Sequence, residues 1–168
     1  MPHPKRLGPM GSGSQQELPC MRKTAKTFTL ATSLALFALP AFSAEIEVKM
    51  LNKGSDGEAM VFEPAAVKAQ PGDTIKFVPV DKGHDVVSMP GLVPEGVTEI
   101  KGKISQEVSF TPDKPGAYVF KCTPHFGMGM VAVILVGDAP ANLDAVKSAK
   151  MPKKAKDRLD AEIAKLGL

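Results

Sequence analysis

The chain has no tryptophan, one tyrosine, two cysteines and three histidines in 168 residues. So few aromatics make a stacking platform for nucleic acid an unsuitable reading. Two cysteines cannot build a disulfide scaffold, and three histidines cannot furnish a multi-metal enzyme centre. Charge is not extreme: 21 Lys+Arg face 18 Asp+Glu, and charged residues make up 23% against 43% hydrophobic ones. These are ordinary globular values, and the length suits one domain plus some extra chain. Collagen, coiled coil, bulk disorder and a multi-domain enzyme are disfavoured by the same figures.

The surplus of positive charge sits at the front. Met21-Arg22-Lys23-Thr24-Ala25-Lys26 is cationic, and Thr27 to Ala44 is an uncharged run of 18 residues containing Pro40 and the small residues Ala41 and Ser43. A cationic stretch, an apolar run and small residues two apart form the layout of a secretory signal peptide. Residues 21–43 are therefore read as a leader cleaved near Ser43, and the mature chain as periplasmic. A membrane anchor needs about 20 strongly apolar residues, and this run is shorter and dotted with small and polar ones. Residues 1–20, dominated by Pro, Gly, Ser and Gln, are read as an extension ahead of a true start at Met21, or as an artificial addition. Cys20 goes with them. From Ala44 onward there are 125 residues, with sixteen cations and seventeen anions. The apparent basicity leaves with the leader, and no argument for a nucleic-acid partner survives. A monomer without a membrane span is expected.

Several segments of the mature chain have the period of strands. Glu45 to Leu51 and Thr74 to Val80 alternate polar and apolar residues. Val86-Val87, Gln106 to Phe110 and Ala117 to Cys122 read as further strands, and Met130 to Val136 is apolar throughout, the pattern of a strand covered on both sides. Short strands divided by Gly/Pro turns predict an antiparallel sandwich or barrel. After Gly137 the period changes. Leu143 and Val146, then Leu159, Ile163 and Leu166, are spaced as on amphipathic helices, with Pro152 near the start of the second.

Cys122 is the only thiol of the mature chain, in a compartment where thiols oxidise unless occupied. It opens the segment Cys122-Thr-Pro-His125-Phe-Gly-Met-Gly-Met130, which joins two predicted strands and offers a thiolate, an imidazole and two thioethers. The other mature histidine, His84, ends a predicted strand. A Cys-plus-two-His plane with a long axial Met is the blue-copper arrangement, acceptable to both Cu(I) and Cu(II). Spacing leaves Met128 and Met130 both open as the axial ligand. Each residue alone has a plain alternative, as a surface or core side chain; jointly they point to one metal site. Zinc wants four good donors, and haem attachment wants a second Cys before the His. No further His remains for a substrate-binding copper centre, so an enzyme is not expected.

These residues resemble the pseudoazurins, periplasmic cupredoxins of denitrifying bacteria. The resemblance runs through Met50-Leu-Asn-Lys-Gly54, Met60-Val-Phe-Glu-Pro64, Asp81-Lys-Gly-His84, Lys121 to Met130, Val136-Gly-Asp-Ala-Pro140 and Met151-Pro-Lys-Lys-Ala155. It implies an all-β Greek-key sandwich of about eight strands over residues 44–137, with two C-terminal α-helices in residues 138–168. It implies one copper ion held by His84, Cys122, His125 and Met130, and a Met60 that packs near the ring of the loop His, a place that ordinary core filling explains equally. It also implies an electron carrier that takes single electrons from a quinol-side or cytochrome donor and passes them to a copper or haem nitrite reductase. Lys53, Lys82, Lys101, Lys103 and Lys121 would ring an apolar patch around His125 and steer that encounter. One departure stands out: the family usually has Asn after the strand His, where this chain has Asp85. An ionised carboxylate accepts but does not donate, so a bond donated to the Cys sulfur would be lost, or Asp85 would need to be protonated. The competing function is a periplasmic copper chaperone or store.

Overall fold

The computed structural model describes residues 43–138 and 140–168. The leader assigned to residues 21–43 and the extension assigned to residues 1–20 lie outside the described residues, apart from Ser43. Eight strands and two helices follow in order: β1 (Glu45–Lys53), β2 (Ala59–Glu63), β3 (Ala66–Ala69), β4 (Thr74–Pro79), β5 (Val87–Ser88), β6 (Val108–Phe110), β7 (Gly116–Lys121), β8 (Val131–Val136), α1 (Leu143–Lys147) and α2 (Lys153–Lys165). One sheet has the order β2-β1-β4-β6 and the other β3-β8-β7-β5.

Alternation decides what each strand buries. On β7 and β8, Tyr118, Phe120, Ala132, Ile134 and Val136 enter one apolar cluster, which also takes Val48, Met50, Ile75 and Phe77 from the first sheet. The intervening Ala117, Val119, Val131, Val133 and Leu135 enter a second cluster with Val146, Leu159 and Ile163 of the helices. β8 is thus covered on both faces, which explains its uninterrupted apolar sequence. The inner cluster is largely aromatic. Phe77 lies 5.0 Å from Phe120 and 5.5 Å from Phe62 between ring centroids, and Phe110 lies 5.2 Å from Phe120, so rings from both sheets fill the interior that tryptophan fills in other sandwiches.

The alternation predicts antiparallel pairing throughout. Instead each sheet contains one parallel pair: β1 with β4, from Glu45↔Thr74 to Met50↔Pro79, and β3 with β8, from Ala66↔Val133 to Ala69↔Val136. A period of two fixes which face is buried, not the direction of the neighbour. β2 and β3 carry no alternation long enough to stand out, because Pro64 separates them after five and before four residues.

Helix α2 begins directly after Pro152, where the fixed φ of proline fits and its missing N–H is no loss. Its buried Ala155, Leu159 and Ile163 face the second sheet. Asn142 ties the approach to α1 onto β7, accepting the Ala117 N–H at 2.9 Å and donating to the Ala117 carbonyl at 2.8 Å. Among the described residues, no helix is long and apolar enough to cross a membrane.

Candidate metal centre

Two connections meet at one end of the sandwich. The first, between β4 and β5, carries His84. Its carbonyl accepts the Ser105 N–H at 2.7 Å, and the preceding Gly83 N–H donates to Ser105 Oγ at 2.9 Å. Gly83 has φ +92, a left-handed conformation that glycine adopts without strain. The second connection joins β7 to β8. The Cys122 N–H bonds to the Met130 carbonyl at 3.0 Å, closing the loop at its neck. The His125 N–H bonds to the Cys122 carbonyl, and a single 3-10 turn, Phe126–Met128, returns the chain.

This places three donor atoms face to face. His84 Nδ1 and His125 Nδ1 are 3.1 Å apart, and Cys122 Sγ lies 3.4 Å from His125 Nδ1 and 3.7 Å from His84 Nδ1. The centre of that triangle lies about 2.0 Å from each atom, a normal bonding distance from a transition metal to imidazole and slightly short for thiolate. Three lone-pair donors at such separations are poor partners for one another and good partners for a cation.

The surroundings prepare the rings for that role. His84 is wholly buried, and its other ring nitrogen, Nε2, donates to Asn52 Oδ1 at 3.0 Å. With the proton on Nε2, the lone pair of Nδ1 faces the centre. Burial first, then the facing His125, pushes the His84 pKa below the ordinary histidine value, against the opposing pull of Asp81 and Asp85. Burial likewise pushes the Cys122 thiol up to about 11, while the backbone N–H groups of Asp85 and His125 pull the other way. A metal that takes the thiolate therefore displaces a firmly held proton.

All four residues singled out from the sequence are at this end. Met130 is 0% exposed and shares the inner cluster with Cys122, whereas Met128 is 43% exposed. Asp85 bridges the two connections. Its carboxylate accepts the Thr123 N–H at 2.5 Å and so joins the two ligand loops, while its backbone N–H and its side chain act on the Cys122 thiol in opposite directions. Asn52 and Thr123 are site residues that spacing alone does not reveal. Asn52 lies within Met50-Leu-Asn-Lys-Gly54, yet nothing in that stretch points to a histidine 32 residues later.

The comparisons with known proteins agree with this geometry. The family model of copper binding proteins, plastocyanin/azurin family, matches residues 48–137. Pseudoazurin of Paracoccus pantotrophus is 57% identical over 136 residues, 81% of this chain and 93% of that protein. The chain belongs to the pseudoazurin family. The crystal structure of native pseudoazurin from Hyphomicrobium denitrificans superposes with a TM-score of 0.70 at 52% identity, covering 73% of this chain and 98% of that one. Pseudoazurin from Methylobacterium extorquens gives 0.69 at 48%, covering 73% and 98%. The protein is thus a cupredoxin in fold and a blue copper electron carrier in kind, and copper is the cofactor that its donor set fits.

Proposed function

We propose that this protein is a periplasmic carrier that delivers single electrons to a nitrite reductase, with His84, Cys122, His125 and Met130 as its copper ligands. The observation that carries the reading is the convergence of Cys122 and the two imidazoles, with one of them, His125, at the surface. His84, Cys122 and Met130 are buried, while His125 is half-buried and next to the exposed Met128. Copper supplies a one-electron couple there. The protein holds the donor atoms in loops pinned by backbone hydrogen bonds, which limits rearrangement between oxidation states, and it offers the His125 edge as the path in and out. Buried Met130, rather than exposed Met128, would be the thioether that holds the ion with the other three.

The partner reading rests on charge and exposure. Lys53, Lys82 and Lys103 are exposed, Lys101 is paired with Glu99 at 2.9 Å, and the Lys121 ammonium lies 5.0 Å from the ring centroid of Phe126, the residue after His125. Exposed cations, with Lys121 over the ring next to His125, suit a brief, wet encounter with an acidic surface. The leader assigned to residues 21–43 supports export. Stopped-flow oxidation of the reduced protein by copper and haem nitrite reductases tests this reading. Saturable transfer that slows with salt and with Lys→Ala changes supports it; no transfer to either reductase overturns it. Release of Cu(I) to metal-free acceptor proteins, with no electron transfer, is the result a chaperone gives. A centre buried on three of its four sides argues against such release.

A further inference from the structure

Arg158, on α2, ties the helical extension to the ligand loop. Its Nη1 donates to the Met60 carbonyl at 2.9 Å and to the Gly129 carbonyl at 3.1 Å. Its Nη2 donates to the Ala59 carbonyl at 3.1 Å and pairs with the Glu58 carboxylate. One guanidinium therefore bonds three backbone carbonyls from two segments nearly a hundred residues away and thirty residues away in sequence. A planar fork of five donors meets this demand; a lysine ammonium cannot place its bonds in the same fixed directions.

Both segments are conformationally unusual where Arg158 touches them. Met60 has φ +53, a left-handed conformation rare for a residue with a side chain, held only where the surroundings fix it. Gly129 has φ +90, and a Cβ there would come within 3.0 Å of Arg158 Cδ and Lys154 Cγ and 3.1 Å of the Lys154 carbonyl. Helix α2 thus lies directly on the end of the ligand loop. The next residue is Met130, whose N–H bonds to the His125 carbonyl and whose carbonyl takes the Cys122 N–H. On the other side, Met60 falls between the paired positions Leu51–Val61 and Lys53–Ala59, across from the Asn52 that holds the His84 ring.

We propose that Arg158 is a positioning residue of the copper centre: by holding the Gly129 and Met60 carbonyls it fixes the backbone from which Met130 reaches the ion. This rests on the reading of Met130 as the axial ligand. An axial thioether bond is long and weak, so backbone placement, more than the bond itself, sets its length. Helix α2, whose apolar face packs on the second sheet, then also tunes the site through one side chain.

The test compares R158K, R158Q, E58Q and M130L with the parent. The paramagnetic spectrum and reduction potential are read on copper-loaded protein, and amide exchange at Met130 on metal-free protein. R158K and R158Q are each expected to change the copper anisotropy and potential, and to speed Met130 exchange by about tenfold or more, as loss of a charge-assisted bond to a backbone carbonyl implies. E58Q, which removes the charge pairing to Arg158 and Lys154 but leaves the bonds to the backbone carbonyls, is expected to keep parent values. R158K retains the cation and serves where R158Q fails to fold. Parent-like spectrum, potential and Met130 exchange in R158K overturn the proposal, even with a lowered Tm. A changed M130L spectrum beside parent-like Arg158 variants overturns the positioning role alone. An M130L spectrum identical to the parent's overturns the ligand reading and the proposal with it.

Discussion

Removing the acceptor behind His84 probes the centre from outside the ligand set. The ring is wholly buried, and Asn52 Oδ1, 3.0 Å away, takes its Nε2–H. Without that acceptor two losses follow. A buried donor is left unpaired, at about 1–3 kcal/mol of folding stability. The tautomer that aims Nδ1 at the metal is also no longer favoured, and changes of this kind cost about 10–100-fold in metal affinity. Asn52 itself is exposed, which separates two variants. In N52A a water can reach the ring N–H, so both losses should fall at the low end, near tenfold in affinity. In N52L the new side chain denies water to the ring, and the loss should approach a hundredfold. N52D still accepts and should stay near the parent. The backbone of residue 52 is held independently, its N–H donating to Asp81 at 2.6 Å, so the loop should remain in place in all three. Copper titration against a competing chelator measures the affinities, and urea unfolding of the metal-free proteins measures the stabilities. An N52L affinity within about twofold of the parent would refute the reasoning, because that hydrogen bond would then orient nothing.

Asp73 contributes to acid stability. Its carboxylate accepts the Gln70 N–H at 2.7 Å and the Ala44 N–H at 2.8 Å, and these bonds hold its pKa below the ordinary 3.8. A depressed folded value means stability that is present above pH 3.8 and lost as pH falls through the lower value. Urea midpoints at pH 6 and pH 3 should therefore fall further in the parent than in D73N. Ile163 lies buried in the helix–sheet cluster, so I163A should cost about 2–5 kcal/mol in chemical unfolding; a loss near zero would mean the helices add nothing to the core. Transfer to a reductase should slow as salt rises from about 0.01 M to 0.15 M, where the screening length drops from about 30 to 8 Å. Changing Lys82 or Lys103 to Ala should weaken that dependence, and a flat salt profile would exclude steering.

Much of the fold was legible because burial on one face imposes period two on β1 and β4, burial on both faces an unbroken apolar run on β8, and the helix–sheet contact a helical period on Leu159, Ile163 and Leu166. Neighbour direction was not, since the parallel pairs β1–β4 and β3–β8 need the same alternation as antiparallel ones. At the site, chemistry was legible where residue types are scarce: one thiol and two imidazoles from Ala44 onward leave few combinations. The supporting groups were not. Asn52, Thr123 and Arg158 are of common types, and they act through single hydrogen bonds or backbone carbonyls that leave no spacing behind. Asp85 shows the same limit, for its type indicates an acceptor but not that it takes the Thr123 N–H of the other ligand loop.

The central claim is that Cys122 and two histidines bind one copper ion in a plane with a weak thioether. Absorption and paramagnetic spectra of the copper-loaded parent and of C122S test it most directly. The account predicts an intense thiolate-to-copper band in the parent, bleached by one electron per protein, and no such band in C122S. A colourless parent, or a colour that survives in C122S, would contradict it.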